Sequence, residues 1–280
     1  MIKVLNAGIY SSIQDLGRLG FAKMGIPLSG AMDRFSSRLG NIILKNRKSD
    51  AVIEVTFGMA KFEFTSNTFI CLTGGDFSPK LNDEFLEMQT VYEVKKGSIL
   101  SFGKRKYGAR IYIAVQGGIQ SETILKSRSF FGGITSKVLL EKGDELPILS
   151  QQPYDSRGFA KVKIVEEHFG SSELECFPGP EFDLLNQEQK KRLLESFTIS
   201  EDNNRMGYRL SETIENNFPS ILTSAVLPGT VQLTPSGKLI VLMRDCQVTG
   251  GYPRVLQLSE YGISSLGQKI SGETIGFQLN

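Results

Sequence analysis

The chain has 280 residues, 32 of them basic and 30 acidic, for a formal net charge of +2. That near balance excludes the basic stripe of a nucleic-acid binder, and no apolar run of about 18 residues exists to cross a membrane as a helix. The opening MIKVLNAGIYSSIQD lacks the basic start and long apolar stretch of a signal peptide, so a cytoplasmic location without nucleic-acid or membrane partners is expected. The three cysteines, Cys71, Cys176 and Cys246, are too far apart for a disulfide framework or a clustered zinc site. Cys71 reads as a buried small hydrophobe, whereas Cys246 lies in a polar segment where a reactive thiol can arise. The single histidine, His168 in EEHFGSSE, reads as an exposed loop residue. Catalysis is therefore left to carboxylates, arginine, lysine, hydroxyls and backbone amides, and no metal-binding residues are assigned.

In chain order, the first feature is the polar stretch Ser11 to Asn41, where Gln14, Asp15, Gly17, Arg18, Ser29, Gly30 and Asp33 crowd together. A strand-linking turn needs only one or two such residues, so this density predicts a shaped binding surface. Asp15 and Arg18 read either as a salt bridge pinning a loop, or Arg18 as a fork for a carboxylate or phosphate. Met32, Phe35, Leu39, Ile42 and Ile43 recur at helical spacing and predict a helix over 31–45, with Asp33 near its start.

Alternating segments at 52–57, 61–65, 68–73, 90–94, 98–102 and 110–115 then predict strands. Their spacing of about 8–12 residues is that of an antiparallel barrel or sandwich. Thr73-Gly74-Gly75-Asp76 reads as a tight turn, or as a nest of amides for an oxyanion. The stretch 150–158, SQQPYDSRG, is the expected linker between a β-rich module over 1–150 and a second over 159–280.

Beyond it, strands are predicted at 161–165, 173–177, 230–233, 239–243 and 255–258, and a second helix follows Pro178-Gly179-Pro180, lined by Phe182, Leu185, Leu193, Leu194 and Phe197. Asn203 to Arg209 forms an arginine-rich, glycine-bearing loop. Arg244 and Asp245 end a strand where a barrel opens its mouth, and Thr249-Gly250-Gly251-Tyr252-Pro253 reads as a turn or second amide nest.

With these segments in hand, the chain resembles the KipA-like family, also known as the 5-oxoprolinase C-subunit family or the biotin-dependent carboxyltransferase family. The marks are SIQDLGRLG, GIPLSGAMD, RIYIAVQGGI, KSRSFFGG, FPGPEFD, NRMGYRL and VTGGYP, spread in order over nearly the whole chain. Asn6, Gly40 and Asn204 depart from the family pattern. The resemblance implies a mainly β fold of two cyclophilin-like β-barrel modules with a few short helices. It also implies work with two other proteins, the KipI-like B subunit of 5-oxoprolinase and its A subunit, in hydrolysing 5-oxoproline to glutamate, with ATP and Mg²⁺ as cofactors. Fused relatives carry carboxyl groups on biotin, but this chain has no MKM-type biotinylation segment. The alternatives are a carboxyltransferase served by a separate biotin carrier, and a non-catalytic regulator that binds a KipI-like kinase inhibitor.

Phosphorylating the lactam oxygen would create a leaving group, a step that needs cations around the phosphoryl group. On that reading Arg18 and Arg205 supply charge, Asp15 or Asp245 holds Mg²⁺, and the Gly74-Gly75 and Gly250-Gly251 amides hold an oxyanion. Gln14, Ser29, Gly30, Asp33, Asn41, Tyr208, Gln247, Thr249 and Tyr252 complete the expected binding set.

Overall fold

The computed structural model describes residues 1–154, 167–219 and 221–280. The strand predicted at 161–165 and the end of the predicted linker, 155–158, lie outside the described residues. The chain divides into two compact units, Met1–Arg18 with Ser29–Val165, and Leu19–Leu28 with Glu166–Asn280.

The first unit is a two-sheet sandwich. Its strands are β1 (Ile2–Ala7), β2 (Tyr10–Gln14), β3 (Val52–Thr56), β4 (Ala60–Phe64), β5 (Thr68–Asp76), β6 (Lys80–Leu81), β7 (Glu84–Phe85), β8 (Val91–Val94), β9 (Ile99–Ser101), β10 (Tyr107–Val115) and β11 (Glu145–Leu146). One sheet has the order β11-β1-β4-β9-β6-β7 and the other β2-β3-β10-β5-β8. Ile2, Val4, Phe62 and Phe64 of the first sheet meet Ile13, Ile53, Val55, Leu72, Ile111 and Ile113 of the second in one core. Each such fully buried side chain contributes about 1.5–3 kcal/mol.

The five-stranded sheet is covered on its other face by helix α1 (Arg34–Ile43), through Leu39, Ile43 and Leu44 against Val52, Cys71, Tyr112 and Ala114. Two covered faces explain why β3, β5 and β10 are buried almost throughout, without the alternation of a half-wet strand. Asp33 caps α1, its carboxylate accepting from the Ser36 N–H at 2.9 Å. The apolar stripe predicted for this helix is only partly inward, because Phe35 and Ile42 are exposed.

The second unit holds β12 (Glu173–Pro178), β13 (Phe197–Asn203), β14 (Gly207–Thr213), β15 (Ser224–Ala225), β16 (Thr230–Leu233), β17 (Lys238–Leu242), β18 (Thr249–Gly250), β19 (Arg254–Leu258) and β20 (Thr274–Leu279). Seven of them close a barrel in the order β12-β19-β16-β17-β14-β13-β20, and the closing pair β12–β20 is parallel. Helices α2 (Glu167–Gly170), α3 (Gln187–Leu193) and α4 (Glu260–Leu266) complete the unit.

Several expectations are corrected here. Among the described residues one barrel closes, not two, because the first unit's strands split into two separate sheets facing a common core. Thr73-Gly74-Gly75-Asp76 is no turn but the buried end of β5. Gly74 has φ +88°, and opposite it four steps along β10 (Tyr107 to Ile111) match two along β5 (Asp76 to Gly74), so β10 carries the extra residues of a bulge facing the glycines. The second predicted helix breaks into a 3-10 turn, Phe182–Leu184, and α3, because Asn186 and Gln189 form a capping box that restarts the helix. Phe197 already belongs to β13. His168 is buried at 1 % exposure in α2, its ring 5.3 Å from that of Tyr261 at the head of α4.

Candidate functional site

The expected site residues fall into two groups, one in each unit. In the first, Asp15 is the hub. Its carboxylate accepts from the Gly17 N–H at 2.7 Å, from the Ser127 and Ser129 hydroxyls at 2.6 Å each, and from the Arg128 N–H at 2.6 Å. The Asp15 N–H donates back to the Ser129 hydroxyl at 2.9 Å. Arg18 is buried rather than at the surface, and its guanidinium donates to the Ser129 carbonyl. Three chain segments, 14–18, 29–31 and 127–130, are thereby fastened together. Gly30 is required at the crossing: it has φ +98°, and a Cβ there would stand 3.0 Å from the Asp15 carbonyl oxygen and the Gly17 nitrogen. Ser29 also lies in the left-handed region at φ 56°, its hydroxyl 3.4 Å from the Phe130 carbonyl. Gln14 is buried, its amide donating to Ser12.

Behind this clamp sits a buried carboxylate that the sequence pattern does not single out. Glu54, fully buried in β3, accepts from the Met32 N–H and the Tyr112 hydroxyl at 2.8 Å each, while Arg110 stands 3.9 Å away. Tyr112 in turn accepts from the Asp33 N–H at 2.8 Å. Burial, with the charges of Glu54 and Asp33, pushes the Tyr112 phenol well above its usual range, so it stays a proton donor. Asn41 is buried at the end of α1, where its amide donates to the Asp50 carbonyl and its oxygen accepts from Asn46.

The clamp forms one wall of a cleft of about 840 Å³ within the first unit. Lys45, Arg47, Lys126 and Arg128 line it, with Asp15 and Asp50 as its carboxylates. None of the four cations belongs to the expected site residues.

In the second unit Arg205 and Asp245 meet as an in-plane pair, with N–O distances of 2.7 and 3.1 Å, and both residues are buried. The Asp245 N–H also donates to the Arg205 carbonyl at 2.8 Å. Arg244, buried beside them, holds Glu260 through two contacts of 2.6 and 3.1 Å. Tyr208 is buried in β14. Thr249 and Gly250 form β18 against β15 rather than a free turn, and the Gly251 carbonyl accepts from the Ile221 N–H. Gln247 and Tyr252 line a smaller groove of about 250 Å³ with Asn204, Arg209 and Gln232.

Cys246 is not a reactive thiol. Burial pushes it up to about 12, with the Asp245 charge adding to the shift, and burial pushes Cys71 and Cys176 to about 12 as well. On the order of one part in 10⁵ is thiolate at pH 7. A thiol reagent is therefore expected to leave the native chain unmodified and to label all three cysteines in denaturant. Rapid labelling of Cys246 in the native chain would overturn that assignment.

With the geometry in place, comparison with known proteins adds identity. The family model for the carboxyltransferase domain, subdomains A and B, matches residues 24–279. The chain is 32% identical over 285 residues to the C subunit of 5-oxoprolinase from Escherichia coli (strain K12), covering 99% of this chain and 90% of that protein. It is 33% identical over 287 residues to the same subunit from Haemophilus influenzae, covering 99% and 91%. Among solved structures, the Kluyveromyces lactis urea amidolyase superposes with a TM-score of 0.85 at 26% identity. That match covers 99% of this chain but only 18% of the larger protein.

Proposed function

From the premise that this chain belongs to the carboxyltransferase-domain family, subdomains A and B, we propose that it serves as the C subunit of an ATP-dependent 5-oxoprolinase. It would act in the cytoplasm with the KipI-like B subunit of that enzyme and its A subunit, opening 5-oxoproline to glutamate. The observation that carries the reading is similarity to a 5-oxoprolinase C subunit over 99% of this chain and 90% of the Escherichia coli protein. The two units then stand for the family's two modules, and the cyclophilin-like description applies to the closed barrel.

Mg²⁺ does not fit the two carboxylates expected to hold it. Asp15 already accepts four hydrogen bonds, and Asp245 is held in plane by Arg205. Among the described residues no three His, Cys, Asp or Glu side chains gather as a metal site. We assign Asp15, Arg18, Arg205 and Asp245 to holding the shape of the binding surfaces, and derive no step through a metal on this chain.

The test is 5-oxoproline-dependent release of ADP and glutamate by the reconstituted three-subunit assembly, with and without this chain. Turnover only when the chain is present is expected. A complex that assembles and yet shows no such turnover would overturn the reading. The match of the carboxyltransferase model favours one rival, carboxyl transfer from a separate biotin carrier. Biotin-carrier-dependent turnover of urea by the same assembly would select it.

A further inference from the structure

We infer that the cleft of the first unit is a binding site for a phosphate-bearing small molecule, held by Arg47, Lys126 and Arg128. The inference deepens the proposed function but stands on the cleft alone. The whole chain carries a formal net charge of only +2, yet four cations line this one cavity against two carboxylates. One of those carboxylates, Asp15, is already satisfied by four donors and faces the clamp. Among the described residues Arg47, Lys126 and Arg128 enter no ion pair. Four like charges against two carboxylates leave an excess of positive charge in the cleft, and an anion drawn between them relieves their repulsion.

Three amide side chains of the lining are committed to the wall. Asn46 donates its amide to Asn41 and to the Val115 carbonyl, Gln120 donates to the Gly117 and Gly118 carbonyls, and Gln116 donates to the Gln152 carbonyl. The cations are the strongest groups left for an anionic ligand. Two guanidiniums and the ammonium groups suit the several oxygens of a phosphate better than the two of a lone carboxylate. The volume of about 840 Å³ is also far larger than a single small acid fills, and falls within the range of pockets for nucleotide-sized ligands.

The backbone places these cations. Leu125 and Lys126 are consecutive left-handed residues, at φ 51° and 62°, immediately before the Ser127–Ser129 segment that grips Asp15. This turn carries Lys126 to the cleft while the clamp fixes Arg128 beside it, where its guanidinium donates to the Gln120 amide oxygen at 3.3 Å. Elsewhere in the lining, Asp50 accepts from the Arg47 N–H at 3.0 Å and closes the 47–50 turn. The carboxyl of Asp50 is pushed up by burial, which outweighs the hydrogen bond from Arg47 and the nearby Arg47 and Arg128 charges.

The test is calorimetric titration of the full chain with tripolyphosphate, inorganic phosphate, ATP, glutamate and 5-oxoproline. Tripolyphosphate or ATP is expected to bind, and the two carboxylates alone to bind at least tenfold more weakly. Lys126→Asn, chosen because asparagine tolerates the left-handed backbone, and Arg47→Gln are each expected to weaken the phosphate ligand about tenfold. Asp50→Asn, which keeps an acceptor for the Arg47 N–H while removing the negative charge, is expected to strengthen it. ATP binding without tripolyphosphate binding would overturn the charge-based assignment. So would phosphate binding unaffected by all three variants, or no binding of any phosphate. Because these titrations need no other protein, their failure is separate from failure of the reconstituted turnover.

Discussion

Replacing Asp15 by alanine is expected to lower the stability of the unit that holds it by about 3–5 kcal/mol, the range for breaking a buried charge network. Four donors, the N–H groups of Gly17 and Arg128 and the hydroxyls of Ser127 and Ser129, would lose their common acceptor at once. Each buried donor left unsatisfied costs about 1–3 kcal/mol, and partial rehydration returns some of the sum. At about 2–4 °C per kcal/mol the unfolding transition should fall by roughly 6–20 °C. Asp15→Asn keeps one good acceptor oxygen and should lose about half as much. Thermal and urea unfolding of both variants provide the check. A loss below about 1 kcal/mol for Asp15→Ala would remove Asp15 as the hub. Since Arg128 is one of the gripped residues, the alanine variant should also weaken phosphate binding in the cleft, although Asp15 itself carries the wrong charge to bind it.

Breaking the Arg205–Asp245 pair is expected to have the second-largest effect. Both side chains are about a tenth exposed or less; Arg205→Ala removes the bidentate donor from the Asp245 carboxylate, Asp245→Ala removes the bidentate acceptor from the Arg205 guanidinium, and each should cost about 3–5 kcal/mol. The double variant Arg205→Met with Asp245→Leu exchanges the pair for apolar groups and should recover most of that loss. A double-mutant cycle measures the difference; simple additivity of the two single losses would show that the residues do not act as a pair. Turnover of the stable double variant in the reconstituted assembly then separates the roles. Preserved turnover is expected for a structural pair, and abolished turnover would return Arg205 to the reaction.

The physics of locality explains what is legible without coordinates. Strands β3, β4, β16 and β19 lie where alternation and turn residues put them, and Asp33 caps α1, because strand pattern and capping are written within a few neighbouring residues. Glu54 is illegible for the opposite reason. In VIEVT it looks like the wet side of a strand, and only the covering helix makes that side dry. The Thr73–Asp76 segment misleads because two glycines signal a turn as readily as a bulge, and only pairing with β10 decides between them. The cleft is harder still. Its cations come from 45–47 and 126–128, segments far apart in sequence, and nothing local in either says that they share a cavity. His168 looks wet because its sequence neighbours are charged, whereas Phe169 and Tyr261 pack against its ring.

The parallel pairing of β12 with β20 sets a timetable for biosynthesis. The barrel's first strand leaves the ribosome roughly a hundred residues before the strand that closes it, which at about 5–20 residues per second is a wait of about 5–20 s. Until β19 emerges β12 has no partner strand, and until β20 follows the sheet keeps an open edge, so Leu174 and Cys176, fully buried once the barrel closes, wait uncovered. The edge is a template for pairing with another nascent chain. Cellular yield should therefore respond to elongation speed and chaperone supply more sharply than the stability of the finished barrel would suggest.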